Sequence, residues 1–346
     1  MPDMDNQHPR RTIESDDFIP NPAAEYVELG LTTCFSFLRG ASDAVDLAVT
    51  AHALGYDKLG CADLNTMAGV VRLHAAALRA QITPVIGCRL RLTTGEEFLA
   101  YPRDRAAYGR ISALLSKGKM ADIDGAWQAK GACDITLDDL VVYSEGVQLI
   151  ALPSPQLDHF EAGFDRLRHA LPTLRHIAVS YLYEGDDRAR INRLDRFAKA
   201  HGLGIIATND VRYHAPERRP LHDVMTCILH KTTIRQAGSL LNANAERHLK
   251  SPAQMVRLFA QWPHAIRATR MVADACDFDL RELSYEYPNE TVPEGRTPQD
   301  YLEELVWKGA ERRYPDGVPD KVTATLCKEL TLIKKINIPQ YFLTIE

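Results

Sequence analysis

The stretch YVELGLTTCFSFLRGASDAVDLAVTAHALGYDKLGCADL, residues 26–64, decides the fold. Residues 27–35 are short and apolar and read as a strand. Ser42 or Asp43 can then cap a helix whose Val45, Leu47, Ala48, Ala51 and Leu54 recur at helical spacing, and Gly55 stops it. Residues 58–62 predict a second strand, 66–80 a second helix with Val70, Leu73, His74, Ala77 and Leu78 on one face, and 84–92 a third strand. Cys34, Cys61 and Cys88 lie 27 residues apart, the length of this repeating β-α unit.

Downstream the alternation continues. A hairpin at Thr93-Thr94-Gly95 leads into a strand over 98–101 and a helix over 104–115. Helix 137–143, strand 147–152, helix 156–170, strand 176–182, helix 187–200 and strand 203–208 follow. This order predicts an α/β fold with a largely parallel sheet covered by helices. It favours a closed β/α barrel over an open dinucleotide-binding sheet, because no G-x-G-x-x-G follows the first strand. Past Ala215 the strands stop, and helices are expected at 216–229, 252–260 and 264–276. A Pro- and Glu-rich connector over 283–298 precedes helices at 300–313 and 320–335. Gln340-Tyr341-Phe342-Leu343 reads as the start of a strand, as though the chain were cut inside a second domain. The expected division is a disordered tail over 1–24, a barrel with flanking helices over 25–276, and a truncated region over 277–346 with Leu302, Leu305, Leu326, Leu330 and Ile333 on exposed apolar faces.

The 346 residues carry 46 acidic and 41 basic side chains, a formal charge of −5, and 45% apolar content, which excludes whole-chain disorder, collagen and coiled coil. The longest apolar runs are strand-sized, and the first 22 residues lack the apolar region of a signal peptide, so a cytoplasmic protein without a membrane span is expected. The mildly acidic balance argues against strong duplex binding by this stretch alone. Seven cysteines without a C-x-x-C pair read as reduced, buried, small hydrophobes.

In β/α barrels the reactive groups follow the strand C-termini. Thr32, Thr33 and Cys34 follow the first strand, Asp63 the second and Arg89 or Arg91 the third. Asn209-Asp210 close the late strand, with Arg212, His214 and His222 beyond. Asp63, Asp210, His214 and His222 could together hold a metal ion, but Asp63 and Asp210 could equally cap helices or turns. His74 reads as a satisfied core histidine, and Arg218-Arg219 as either a solvated helix start or a phosphate-facing patch. No Ser-His-Asp signature, G-x-S-x-G, P-loop or H-E-x-x-H is present.

The segments YVELGLTTCFSFLRGAS, CADLNTMAGVVRLHAAA, AYPRDRAAYGRISALLSKGK, IIATNDVRYHAPERRPLHDVMTCI, NAERHLKSPAQM and YEYPNETVPEGRTPQDYLEELVWKGAERRYP closely resemble the N-terminal region of bacterial C-family DNA polymerases. They look most like the error-prone branch, related to the polymerase III alpha subunit, from about Tyr26 to the end. The resemblance implies a PHP (polymerase and histidinol phosphatase) domain, a distorted β/α barrel, followed by the start of the polymerase palm.

Active PHP domains of this family open with H-x-H, where this chain has Gly30 and Thr32. They carry Asp-His after the second strand, where it has Asp63 and Leu64, and a glutamate where it has the Cys88-Arg89 stretch. Their closing N-D-x-H survives as Asn209-Asp210 but ends in Arg212. The resemblance therefore implies a metal-free barrel with no cofactor and no catalytic residues of its own. The alternative is a stand-alone metal-dependent phosphoesterase using Asp63 and Asp210, and a third reading is a pure interaction module. For the parent polymerase, a nucleotidyltransferase of DNA repair and translesion synthesis, the resemblance implies primer-template DNA, dNTPs and Mg²⁺. Its implied partners are a sliding clamp, a Y-family polymerase-like protein and a RecA-like accessory protein.

Overall fold

The computed structural model describes residues 13, 18–120, 128, 131–283 and 292–344. They form two compact units, one up to Glu282 and one from Leu283.

The first unit is the expected α/β barrel, built on alternation. Its elements are α1 (Ala44–Ala53), β1 (Lys58–Gly60), β2 (Asp63–Leu64), α2 (Ala68–Arg79), β3 (Thr83–Val85), β4 (Cys88–Arg91) and β5 (Glu97–Pro102). Next come α3 (Arg105–Lys119), α4 (Leu137–Tyr143), β6 (Val147–Leu152), α5 (Leu157–Ala170), β7 (Leu174–Val179), α6 (Asp187–Ala200) and β8 (Gly204–Ala207). Then α7 (Arg219–Leu229), α8 (Pro252–Leu258) and α9 (Pro263–Asp274) complete the unit. Six strands run in the order β2-β4-β5-β6-β7-β8, while β1 and β3 pair separately.

Successive strand residues point to opposite faces, and two cores result. Phe98 and Ala100 of β5, Leu149 and Ala151 of β6, and Ile205 and Ala207 of β8 face the outer helices. Leu99, Tyr101, Ile150, Ala178 and Ile206 face inward, where Ala268, Val272 and Ala273 of α9 pack with them. The side-chain hydroxyl of Thr269 on the same helix accepts from the amide of Val27 at 3.0 Å.

Three expectations change here. Residues 27–35 form no regular ladder: the amides of Gly60 and Ala62 donate to the carbonyls of Glu28 and Leu31, both at 2.8 Å, and the amide of Thr32 donates to Val211 at 2.9 Å. This irregular segment thus joins the β1–β2 stretch to the chain beyond β8. The strand expected over 84–92 breaks at Ile86-Gly87 into β3 and β4, which belong to different sheets. The break coincides with Tyr101, because a Cβ on Gly87 would lie 2.4 Å from the ring. Finally, β5 runs antiparallel to β4, as the expected hairpin with Gly95 at φ +99° requires, but it is antiparallel to β6 as well, so the sheet is mixed.

Of the tail expected over 1–24, residues 1–12 and 14–17 lie outside the described residues, but 18–24 are tied to the barrel. Phe18 meets His52 edge-on at 4.8 Å, and the Asn21 amide donates to the carbonyls of His52 and Tyr56 at 2.8 and 3.0 Å. All seven cysteines are free, but only Cys61, Cys88 and Cys227 are buried, and Cys34 and Cys327 are exposed. No helix among the described residues is long and apolar enough to cross a membrane.

The second unit comprises α10 (Pro298–Arg313), α11 (Asp320–Ile336) and α12 (Pro339–Leu343). Residues 284–291 of the expected connector lie outside the described residues. Leu302, Leu330 and Ile333, expected on exposed faces, are buried together with Leu343, and Leu305 packs against them. The strand expected at 340–343 is the helix α12. Asn337, at φ +55°, ends α11 in the left-handed region, and Pro339, whose fixed φ suits a first helical position, starts the next turn.

Gly87→Ala should lower stability by about 2 kcal/mol through overpacking against Tyr101. Gly109→Ala, on the exposed face of α3 with nothing within 4 Å of a Cβ, should be neutral or stabilising. Paired denaturant titrations would check the contrast, and equal effects would mean that Tyr101 does not fill the barrel as described.

Candidate functional site at the barrel rim

The rim site begins with a residue that the sequence reading passed over. Glu28 is fully buried in the apolar stretch that leads into the barrel. Its carboxylate accepts from the Tyr26 hydroxyl and the Gly30 amide at 2.6 Å each, the Thr208 hydroxyl at 2.7 Å and the Asn209 amide at 2.8 Å. Burial pushes its pKa up, while these four donors oppose the shift. Its only sequence signal is a lone acid inside an apolar run. The Thr208 hydroxyl occupies the space beside Gly30, where a Cβ would approach it to 2.2 Å. The first position of the family's H-x-H pattern therefore has no room for a side chain.

Asp63, also fully buried, is held locally. One carboxylate oxygen accepts from the Thr33 amide and the Ser36 hydroxyl, both at 2.8 Å, and the other accepts from the Thr33 hydroxyl at 2.7 Å. The same Ser36 oxygen accepts from the amide of Leu64 at 2.8 Å. Burial raises the pKa of Asp63 against these hydrogen bonds. The turn-organising reading of Asp63 thus describes its partners.

Asp210 takes φ +44° just past β8 and meets three guanidinium groups. Arg89 from β4 and Arg247 each donate to one of its oxygens, and Arg212 donates at 3.1 Å. Burial alone would raise its pKa, but Arg212, Arg89 and Arg247 outweigh that and hold the carboxyl well below the usual range. Burial, with Arg89 and Arg247 nearby, pulls the pKa of Arg212 down to about 10 even though Asp210 opposes the shift. A second guanidinium nitrogen of Arg212 donates to the Thr32 hydroxyl at 3.3 Å. Glu97 links Arg89, at 3.4 Å, to Arg91, whose Nε donates at 2.6 Å. Glu97 and Arg247 were not identified from sequence: Glu97 meets the rim across the β4–β5 hairpin, opposite Arg91, and Arg247 returns to it from far along the chain.

The remaining candidates have other partners. Asn209 donates to the carbonyls of Glu246 and His248 at 2.7 and 2.6 Å, and accepts from the buried Lys250 at 3.1 Å. His214 Nδ1 lies 2.8 Å from the Ser42 hydroxyl. His222 stands edge-on to Tyr213 at 5.7 Å, and burial with Arg212 nearby pulls its pKa down. His74 pairs with Asp279 at 3.0 Å, and Arg218 Nε donates to the carbonyl of Ala41 at 3.1 Å. Asp63, Asp210, His214 and His222 thus have four separate sets of partners. Among the described residues, no three His, Cys, Asp or Glu side chains gather as a metal-holding group. A cleft of about 960 Å³ opens beside Asp210, with Arg89, Arg212, Arg219 and Arg247 in its wall.

The chain matches the PHP domain over residues 28–205 and the bacterial DNA polymerase III alpha NTPase domain over 300–346. It is 45% identical over 322 residues to an error-prone DNA polymerase of Caulobacter vibrioides, covering 92% of this chain and 29% of that protein. It is 44% identical over 328 residues to one from Bradyrhizobium diazoefficiens, covering 92% and 28%. A solved amidohydrolase from Chromobacterium violaceum overlaps it with a TM-score of 0.41 at 14% identity, covering 53% of this chain and 86% of that one. The chain spans less than a third of the length of these polymerase relatives. Matched over half its length by that domain and folded as a distorted β/α barrel, the chain belongs to the PHP domain family.

Proposed function

We propose that this chain serves as the PHP-barrel portion of an error-prone DNA polymerase, and that the barrel is a metal-free brace. The similarity to error-prone polymerases along nearly the whole chain supports the first part. In this reading primer-template DNA, dNTPs and Mg²⁺ are engaged by the polymerase part outside the barrel. The protein works in the cytoplasm, in translesion synthesis and DNA repair, with a sliding clamp, a Y-family polymerase-like protein and a RecA-like accessory protein as partners.

One observation carries the metal-free part: three arginines converge on Asp210. A divalent ion needs lone-pair donors, and a guanidinium offers only N–H donors and a fixed positive charge. An ion at Asp210 would have to displace that charge, and at the positions where the resemblance expects ligands it would find Gly30, Leu64, Arg89 and Arg212, whose side chains cannot ligate it. A phosphoesterase using Asp63, Asp210, His214 and His222 would require each side chain to leave its present partners.

Deleting the gene should lower the frequency of mutations induced by DNA damage while leaving growth of undamaged cells unchanged, and an unaltered mutation frequency would count against the polymerase reading. Asp210→Asn should cost about 3–5 kcal/mol by leaving buried guanidinium groups without their counter-charge. Because the folded pKa is depressed, Asp210 contributes stability above the ordinary carboxylate pKa of about 3.9 and loses it as pH falls toward the folded value. The gap between wild type and Asp210→Asn in thermal or urea unfolding should therefore hold between pH 8 and pH 5 and close only in stronger acid. A gap that closes near neutral pH would contradict the clamp.

A further inference from the structure

The helix α7 differs from the other helices of the barrel unit in what covers it. α1 packs on α2, α2 on β3, α3 on β5, and α6 and α9 on β8, whereas the main neighbour of α7 is the 3-10 turn at Pro216–Arg218, which adjoins it in the chain. Thr226 and Cys227 are buried, and the opposite side of the helix carries Leu221, Val224 and Ile228, exposed by 42, 47 and 58%. Large exposed apolar side chains such as Val71 on α2 and Met271 on α9 come singly on their helices, which is ordinary for a protein surface. Residues 221, 224 and 228 instead stand at i, i+3 and i+7 and form one stripe, the spacing of a seam between two packed helices.

The two ends of this stripe carry opposite charges. Glu217, seven residues before Val224, and Lys231, seven residues after it, are both exposed, and among the described residues neither has an ion-pair partner. The cations beside Glu217 are engaged elsewhere: Arg218 donates to the carbonyl of Ala41 at 3.1 Å, and Arg219 lies 3.5 Å from Asp223. Beyond the helix, residues 230–245 include Lys231 and Arg235 but no acid. The pattern is its own complement. Reversed end for end about Val224, it sets Leu221 opposite Ile228 and Glu217 opposite Lys231. A two-fold axis near Val224 brings the apolar residues of two copies together and faces an acid with a base at each end, as an isologous interface requires. Parallel pairing would face Glu217 with Glu217 and Lys231 with Lys231, so the charges select the antiparallel arrangement.

We propose that α7 is the contact surface of a homodimer, in which the helix packs antiparallel against the same helix of a second copy of this chain. The proposal depends neither on the metal-free reading of the rim nor on the polymerase reading, and its failure would leave both untouched.

Sedimentation equilibrium of the 346-residue chain should show a concentration-dependent dimer. Val224→Glu, which sets two carboxylates face to face on the axis, should raise the dissociation constant at least about tenfold. Ile336→Glu, at an equally exposed apolar position on α11, should change it by less than about twofold. Glu217→Lys and Lys231→Glu should each weaken the dimer about threefold or more by setting like charges opposite one another, and combining them should restore it to within about twofold of wild type. That recovery depends on the antiparallel pairing, so it decides the matter even if Val224→Glu disturbs the helix. A chain that stays monomeric at concentrations on the order of 100 µM would overturn the proposal in favour of a face covered by polymerase sequence outside this chain. A dimer that survives Val224→Glu but dissolves with Ile336→Glu would also overturn it. Additive weakening by the two charge reversals would overturn the antiparallel arrangement.

Discussion

Asp210 sits immediately past β8 with its backbone in the left-handed region, and takes guanidinium donors from Arg89 on β4, from Arg212 two residues on and from Arg247 far along the chain. Three cations around one buried carboxylate would be untenable if the acid were neutral, so the same contacts that hold the rim together keep Asp210 ionised. They join strands on either side of the sheet to the helical segment that follows. Beneath them, Glu28 applies the same logic with neutral donors, binding the entry of the chain to Thr208 and Asn209. The barrel is therefore closed at this end by two buried acids where a regular ladder is missing.

That arrangement accounts for the chemistry of the rim. Where active PHP domains are expected to place imidazoles and carboxylates, this chain has a glycine packed under Thr208, a leucine and two arginines. The carboxylates that remain are engaged, Asp63 by Thr33 and Ser36 and Asp210 by arginines. In the proposed metal-free reading, the charge that a metal would supply comes from guanidinium groups fixed by the fold. In the reading proposed above, such a rim braces neighbouring segments rather than holding an ion that activates water.

Much of this was legible in the sequence, and the rest was hidden for physical reasons. Helical periodicity with caps located most helices to within a few residues, because amphipathic faces and capping side chains are local signals. The break at Gly87 and the irregular first strand go with Tyr101, whose ring fills the space beside Gly87 and whose hydroxyl donates to the carbonyl of Leu29, contacts that a linear reading does not show. The end of the chain read as a strand because Tyr341, Phe342 and Leu343 are apolar in a row, and only the burial of Leu343 against α10 and α11 reveals a helix. At the site, Asp63, Asp210, Arg89 and Arg212 could be identified from their places after strands. Glu28, Glu97 and Arg247 could not, since nothing in a linear reading shows that a lone acid will meet Thr208 or that residue 247 returns to the rim.

The account turns on whether the rim excludes divalent ions, and elemental analysis by mass spectrometry of pure, chelator-treated protein re-equilibrated with zinc and manganese measures this directly. The arginine clamp predicts metal far below one ion per chain and no hydrolysis of a phosphodiester by the same sample. Stoichiometric metal, with hydrolysis that disappears on Asp63→Ala, would contradict it.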